Sequence, residues 1–245
     1  MHTNQIFKTL SIASLSIAVF NVHAAEVKLG INGSGELGFT DTTGNTTSTA
    51  LFGALKLNYN QSDYEIKSKI ETTYKSENDV QTEERYLIDI QGNRYYNAKR
   101  SYYSFVGARF EKNRFAGVEL DSTLSLGLGK QIFKTEQTKL LGEAGLAQQN
   151  IDYTNEAGGG NDSQLAASFK LDLTHQINEQ VTFLQDLTYL TGSEQTKFES
   201  NTGLKVKVAD SMNLKASYKY RHNDSPAVGA KETDTQTLIT LIYDF

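Results

Sequence analysis

The side chains of this sequence that could do chemistry are charges set at every second position. From Tyr64 to Lys75, the residues Glu65, Lys67, Lys69, Glu71 and Lys75 alternate with Tyr64, Ile66, Ile70 and Tyr74. Further on, Lys197, Glu199, Lys205 and Lys207 oppose Phe198, Leu204, Val206 and Val208; Lys215, Lys219 and Arg221 oppose Met212, Leu214, Tyr218 and Tyr220. Alternation with a period of two marks a strand with one apolar and one polar face. Charges gathered inside a closed sheet would conduct ions and small polar solutes, or pair across the lumen and fill it. The candidate lumen-lining set is Lys67, Lys69, Glu71, Arg109, Lys170, Asp172, Asp186, Glu199, Lys205, Lys215 and Lys219, with Glu65, Asp89 and Arg221 on the same faces.

Other chemistries find little support. Gly33-x-Gly35-x-x-Gly38 has the letters of a dinucleotide fingerprint, which works only between a strand and a helix whose N-terminus holds the pyrophosphate. Here Leu37 and Phe39 continue a strand, and turn residues follow at Asp41-Thr42-Thr43-Gly44-Asn45. Beyond the first 24 residues the histidines are His175 and His222. Parity puts His175 on an apolar face near one end of its strand and His222 in a loop at the opposite end, too far apart to share a nucleophile or a metal. With no cysteine, thiolate metal sites and disulfides are impossible. The expectation is a non-enzyme without cofactor or metal. A net charge of −5 argues against a nucleic-acid partner.

The elements that must position these charges begin after an export segment. Lys8 precedes the moderately apolar run Leu10–Phe20, and Asn21-Val22-His23-Ala24-Ala25 supplies the small residues of a cleavage site, so a signal peptide over residues 1–24, cleaved after Ala24, is expected. Loss of Lys8 takes the net charge of the mature chain, residues 25–245, from −5 to −6. A single Pro beside 13 Tyr and 12 Phe suits long, uninterrupted strands.

Strands are expected near residues 29–40, 48–60, 64–76, 83–94, 99–110, 120–134, 138–153, 163–177, 180–194, 197–208, 211–222 and 234–245, about twelve in all. Neither parity is clean within 138–153. Within 180–194, Asp186 is placed inward and Gln185 outward, because a carboxylate facing lipid costs more than an amide. Short connections at 60–63, 177–180 and 209–211 fall on one side. Longer ones around Gly158-Gly159-Gly160 and from His222 to Thr233 fall on the other, as periplasmic turns and outer loops would. Strands of this length cross a bilayer only if the sheet closes, since no backbone group can be left unpaired in lipid. Tyr59 and Tyr64, then Tyr74 and Tyr86, with Tyr102, Tyr218 and Tyr220, lie where two aromatic girdles would be. The fold expected is an all-β, antiparallel transmembrane β-barrel.

Several stretches resemble a known family. They are Gly33-Ser34-Gly35-Glu36-Leu37-Gly38, Glu84-Arg85-Tyr86, the run Tyr102–Gly117 that reads YYSFVGARFEKNRFAG, and the ending from Thr233 through Tyr243-Asp244-Phe245. Together they are similar to the salt-induced outer-membrane proteins of unknown function, a YdiY-like family. Gly127-Leu128-Gly129-Lys130 and Gly142-Glu143-Ala144-Gly145 depart from the aromatic and Arg expected of that family's central strands. The resemblance implies an outer-membrane barrel and lends no catalytic residue. Thr237, Ile239, Leu241, Tyr243 and Phe245 alternate up to a final aromatic; Leu241, Tyr243 and Phe245 resemble the signal that barrel-assembly machinery reads. The expected partners are that machinery, outer-membrane lipids and lipopolysaccharide, with Lys112, Arg114 and Lys231 as loop contacts. A small channel with a charged lumen and a non-conducting structural or stress-response envelope protein are both compatible with the sequence.

Overall fold

Alternation becomes a closed tube in the computed structural model of the protein, which describes residues 29–42 and 48–245. Among them twelve strands run in order: β1 (Gly30–Thr42), β2 (Ser48–Asn60), β3 (Tyr64–Glu77), β4 (Val80–Tyr95), β5 (Tyr102–Asn113), β6 (Val118–Lys134), β7 (Thr138–Tyr153), β8 (Asn161–Gln176), β9 (Val181–Thr191), β10 (Thr196–Ala209), β11 (Met212–Asn223) and β12 (Thr233–Asp244). Each pairs antiparallel with its neighbour in sequence, and β12 returns to β1, so the sheet has no edge. The closing seam is the briefest: Ser34 to Leu37 pair with Asp244 to Leu241, whereas β1 and β2 pair from Gly30–Asn60 to Thr42–Ser48. Beyond the ladder, Gly33 and Phe245 exchange two backbone hydrogen bonds of 2.8 and 2.9 Å.

Burial is inverted relative to a water-soluble protein. Leu124, Leu126 and Leu128 on the outer face are 58, 62 and 67% exposed, while Glu71, Arg85, Gln149 and Lys215 are buried inside. So continuous an apolar outer surface is stable only against lipid. Tyr59 and Tyr64 stand edge to face at 6.0 Å beside the β2–β3 turn, and Tyr74 and Tyr86 are exposed towards the other end. The two ends are called here the turn end, where β1 starts and β12 finishes, and the loop end.

Several expected boundaries move, for local reasons. β4 begins at Val80 instead of 83 because Asn78 and Asp79, at φ 49° and 64°, make a two-residue hairpin turn of the kind Asn and Asp tolerate. This tight connection lies at the loop end, so the short-turn, long-loop asymmetry fails there, although residues 154–160 and 224–232 do form long connections. β5 begins at Tyr102 instead of 99: residues 96–101 form a six-residue connection at the turn end, where the Ser101 amide donates to Asn97 Oδ1 at 2.8 Å. β9 stops at Thr191 because residues 192–195 turn back, held by Gln164 Oε1, which accepts from the amides of Glu194 and Gln195 at 2.9 and 3.2 Å. β1 continues to Thr42, so Asp41 and Thr42 are strand, not turn, and the three glycines lie within that strand. The remaining turn positions 43–45, the export segment 1–24 and Ala24 lie outside the described residues.

The ambiguous segments resolve. In β7 the buried Ala147, Gln149 and Ile151 face inward, as does Glu143, while Leu146 is exposed outside. In β9, Asp186 lines the lumen. Gln185 lies outside and is satisfied locally, donating to Ser200 Oγ at 3.0 Å and accepting from Thr202 Oγ1 at 2.6 Å.

Candidate functional site: the charged lumen

The inward positions of β3, β4, β5, β10 and β11 meet in one ion network. Arg85, almost fully buried, donates Nη1 to Glu71 at 2.7 Å, and Nε and Nη2 to Glu111 at 2.8 and 2.9 Å. Arg109 Nη2 bonds Glu111 at 2.9 Å and reaches Glu199 at 2.7 Å. Lys219 Nζ donates to Glu71 at 2.8 Å and lies over the Phe52 ring; Lys69 approaches Glu71 at 3.7 Å. Two of these contacts cross the tube, since β5 and β10, like β3 and β11, are well separated around the ring. Glu71 alone answers three cations, which is how so many charges remain tolerable away from bulk water.

A second set of contacts spans the lumen elsewhere. Lys197 reaches Asp121 at 2.5 Å, with Gln149 donating to the same carboxylate at 2.8 Å. Gln91 bonds Glu143 at 2.8 Å and accepts from Lys170 at 3.4 Å. Tyr103, only 1% exposed, donates its hydroxyl to Glu143 at 2.8 Å. Near the seam, Lys215 and Thr240 both bond Glu36, each at 2.5 Å.

Between these bridges the interior holds space. A cavity of about 700 Å³ at the turn end is lined by Glu65, Arg100, Lys139 and Asp244. It adjoins, at Leu141, a central cavity of about 330 Å³ bordered by Lys56, Lys69, Asp172, Asp186 and Glu199. Arg109, Glu199, Lys170 and Thr188 separate that from a cavity of about 140 Å³, which continues through Arg221 and Asp234 to one of about 390 Å³ at the loop end. Over the loop end Ala157 and Ala227, both buried, pack against Gly117, so three connections meet as a cover. There Asp224 accepts from the Thr196 amide at 2.7 Å; this bond holds its pKa below the usual carboxylate value.

Of the expected lumen residues, Lys67, Lys69, Glu71, Arg109, Lys170, Asp172, Asp186, Glu199 and Lys219 all border the central cavity. Lys205 lies nearer the turn end, 3.8 Å from Asp244, and Lys215 is buried against Glu36. The reading missed Glu36, Lys56, Arg85, Glu111, Asp121, Glu143 and Lys197 as lumen residues. Parity offered a signal: Arg85 precedes the outward Tyr86, Glu111 follows the outward Phe110, and Lys56 sits between Leu55 and Leu57. His175 bonds Thr138 at the turn end and His222 bonds Thr233 at the loop end. Lys112 pairs with Glu119 and Arg114 with Glu84, whereas Lys231 borders the loop-end cavities.

A closed antiparallel tube, apolar outside and charged inside, defines a membrane β-barrel of the kind found in outer membranes. The solved structures agree at the level of fold. A COG4313 outer-membrane channel from Pseudomonas putida F1 matches with a TM-score of 0.55 and 8% identity, covering 93% of this chain and 100% of the other. A NanC porin matches with a TM-score of 0.50 and 11% identity, over 87% and 98%. By sequence, residues 35–245 match the model of "Protein of unknown function, DUF481", and the chain belongs to that family. The "Uncharacterized protein YdiY" of Escherichia coli (strain K12) is a relative, 24% identical over 236 residues, covering 94% of this chain and 90% of its own.

Proposed function

We propose that this protein is an outer-membrane channel of low resting conductance for ions or small polar solutes. The observation that carries the reading is the series of adjoining, charge-lined cavities running from the turn end to the loop end. The smallest of these cavities, about 140 Å³, lies between the Arg109–Glu199 bridge and the three-loop cover. In this reading residues 1–24 are removed after Ala24, the turn end faces the periplasm, and Lys231 at the outer mouth meets lipopolysaccharide. No residue is given a catalytic role.

A second reading, a non-conducting envelope protein, draws on the same bridges: ion pairs crossing the tube fill space that a permeant solute would need. Planar-bilayer recording of refolded protein separates the two. The channel reading expects discrete conductance steps, with Lys69→Glu/Lys170→Glu shifting the reversal potential towards cation selectivity under a salt gradient. Absence of steps both in the wild type and in Arg109→Gln/Glu199→Gln, which releases the bridge, would establish the non-conducting reading.

A further inference from the structure

Strand register places like charges side by side at two positions of the central cavity. Lys56 of β2 is the direct cross-strand neighbour of Lys69 of β3, and Asp172 of β8 is that of Asp186 of β9. Neighbouring like charges repel, and a sheet ordinarily avoids them. In a ring of twelve strands the β2–β3 and β8–β9 hairpins stand on opposite sides, and all four residues border the same space of about 330 Å³. The two pairs therefore face one another across that space.

They nevertheless do not bridge. Among the described residues Lys56 and Asp172 form no ion pair or side-chain hydrogen bond, although Arg109 and Glu199 span the same tube at 2.7 Å. Asp186 has only the amide of Asn201, at 3.1 Å. Lys69 has only the 3.7 Å approach to Glu71, a carboxylate already engaged by Arg85 and Lys219. Of the other charges on this space, Lys170 bonds the neutral Gln91, Glu143 is held by Gln91 and Tyr103, and Asp89 lies between Lys69 and Arg109 as the cross-strand neighbour of both. What remains is a lysine pair facing an aspartate pair across the cavity, with Lys56, Asp172 and Asp186 exposed.

We infer that the central cavity is a recognition site for small zwitterions, whose anionic group docks between Lys56 and Lys69 and whose ammonium docks between Asp172 and Asp186. Such a solute relieves the repulsion within both pairs at once. A simple anion or cation relieves one pair and is unwelcome at the other. The inference deepens the channel reading by naming a solute class, but binding is measured without current, so the two fail separately.

The test is calorimetric titration of the refolded full chain in detergent with glycine, 4-aminobutyrate and 6-aminohexanoate, against butyrate and butylammonium. One of the amino acids should bind about fivefold or more tightly than either singly charged analogue, each wall contributing an exposed ion pair. Asp172→Asn should cost about fivefold for that amino acid and strengthen butyrate; Lys56→Met should do the converse and strengthen butylammonium. Neither residue holds an ion pair, so neither change removes a bond that supports the barrel, and Asp186→Asn provides an independent second variant. Equal affinity for zwitterions and single ions, no binding of any probe, or affinities unmoved by these substitutions would overturn the inference. Zwitterion binding without conductance would keep the site and refute the channel; conductance without zwitterion preference would do the reverse.

Discussion

Replacing Arg85 with methionine should destabilise the barrel more than any other single charge removal in the lumen. The guanidinium makes three hydrogen bonds of 2.7–2.9 Å to two carboxylates and is almost entirely buried. Without it, Glu71 and Glu111 are left under-compensated, and breaking a buried pair in this way costs ~3–5 kcal/mol. Both carboxylates retain a second cation, Lys219 at 2.8 Å for Glu71 and Arg109 at 2.9 Å for Glu111, which points to the lower value. About 3 kcal/mol in a chain of this size lowers Tm by roughly 6–12 °C. The assay is thermal unfolding in detergent, followed by circular dichroism and by loss of heat-modifiable migration. Arg94→Met is the reference, because its pair with Asp63 is exposed on both sides and is worth less than ~1 kcal/mol. Arg85→Met/Glu111→Gln should recover part of the loss by removing one stranded charge. If Arg85→Met melts within about 2 °C of the wild type, the buried network is not what holds β3, β4 and β5 in register.

Three further outcomes follow from single contacts. Deleting Phe245 removes both backbone bonds to Gly33 at the briefest seam and the last aromatic of the proposed assembly signal formed by Leu241, Tyr243 and Phe245; it should lower the membrane-assembled fraction in cell fractionation more than deletion of Gly159 in a loop does. Gly129→Val should displace Tyr103, whose ring occupies the space of the added Cβ, and free Glu143; the cost of such overpacking is ~1–3 kcal/mol, read as an earlier melt that Tyr103→Phe alone does not reproduce. The lowered pKa of Asp224 means that its bond to the Thr196 amide is complete above the ordinary carboxylate value and is lost as pH falls through the lowered one, so the protection factor of the Thr196 amide, measured against its intrinsic exchange rate, should drop at low pH in the wild type but show no such step in Asp224→Asn.

Much of this architecture is legible residue by residue because a strand's period of two is local. Tyr64 to Lys75 declares two faces whatever it pairs with, and burial of the polar face together with a lipid-facing apolar one forces closure. The sequence thus determined the barrel, the inward side of most strands and the inward placement of Asp186. Boundaries slipped where side chains rather than periodicity terminate a strand, as at Asn78-Asp79 and at the Gln164-held turn after Thr191. What only the tertiary structure decided is which inward charges meet. Arg109 and Glu199 are 90 residues apart, and Lys219 and Glu71 are 148 apart; nothing in either strand names its partner. Partner choice depends on register and on the stagger of strands around the ring, which add up over every hairpin between them. For the same reason Lys56 and Asp172 look like any other alternating charges in the sequence, and become opposed walls only because six strands of accumulated register separate them.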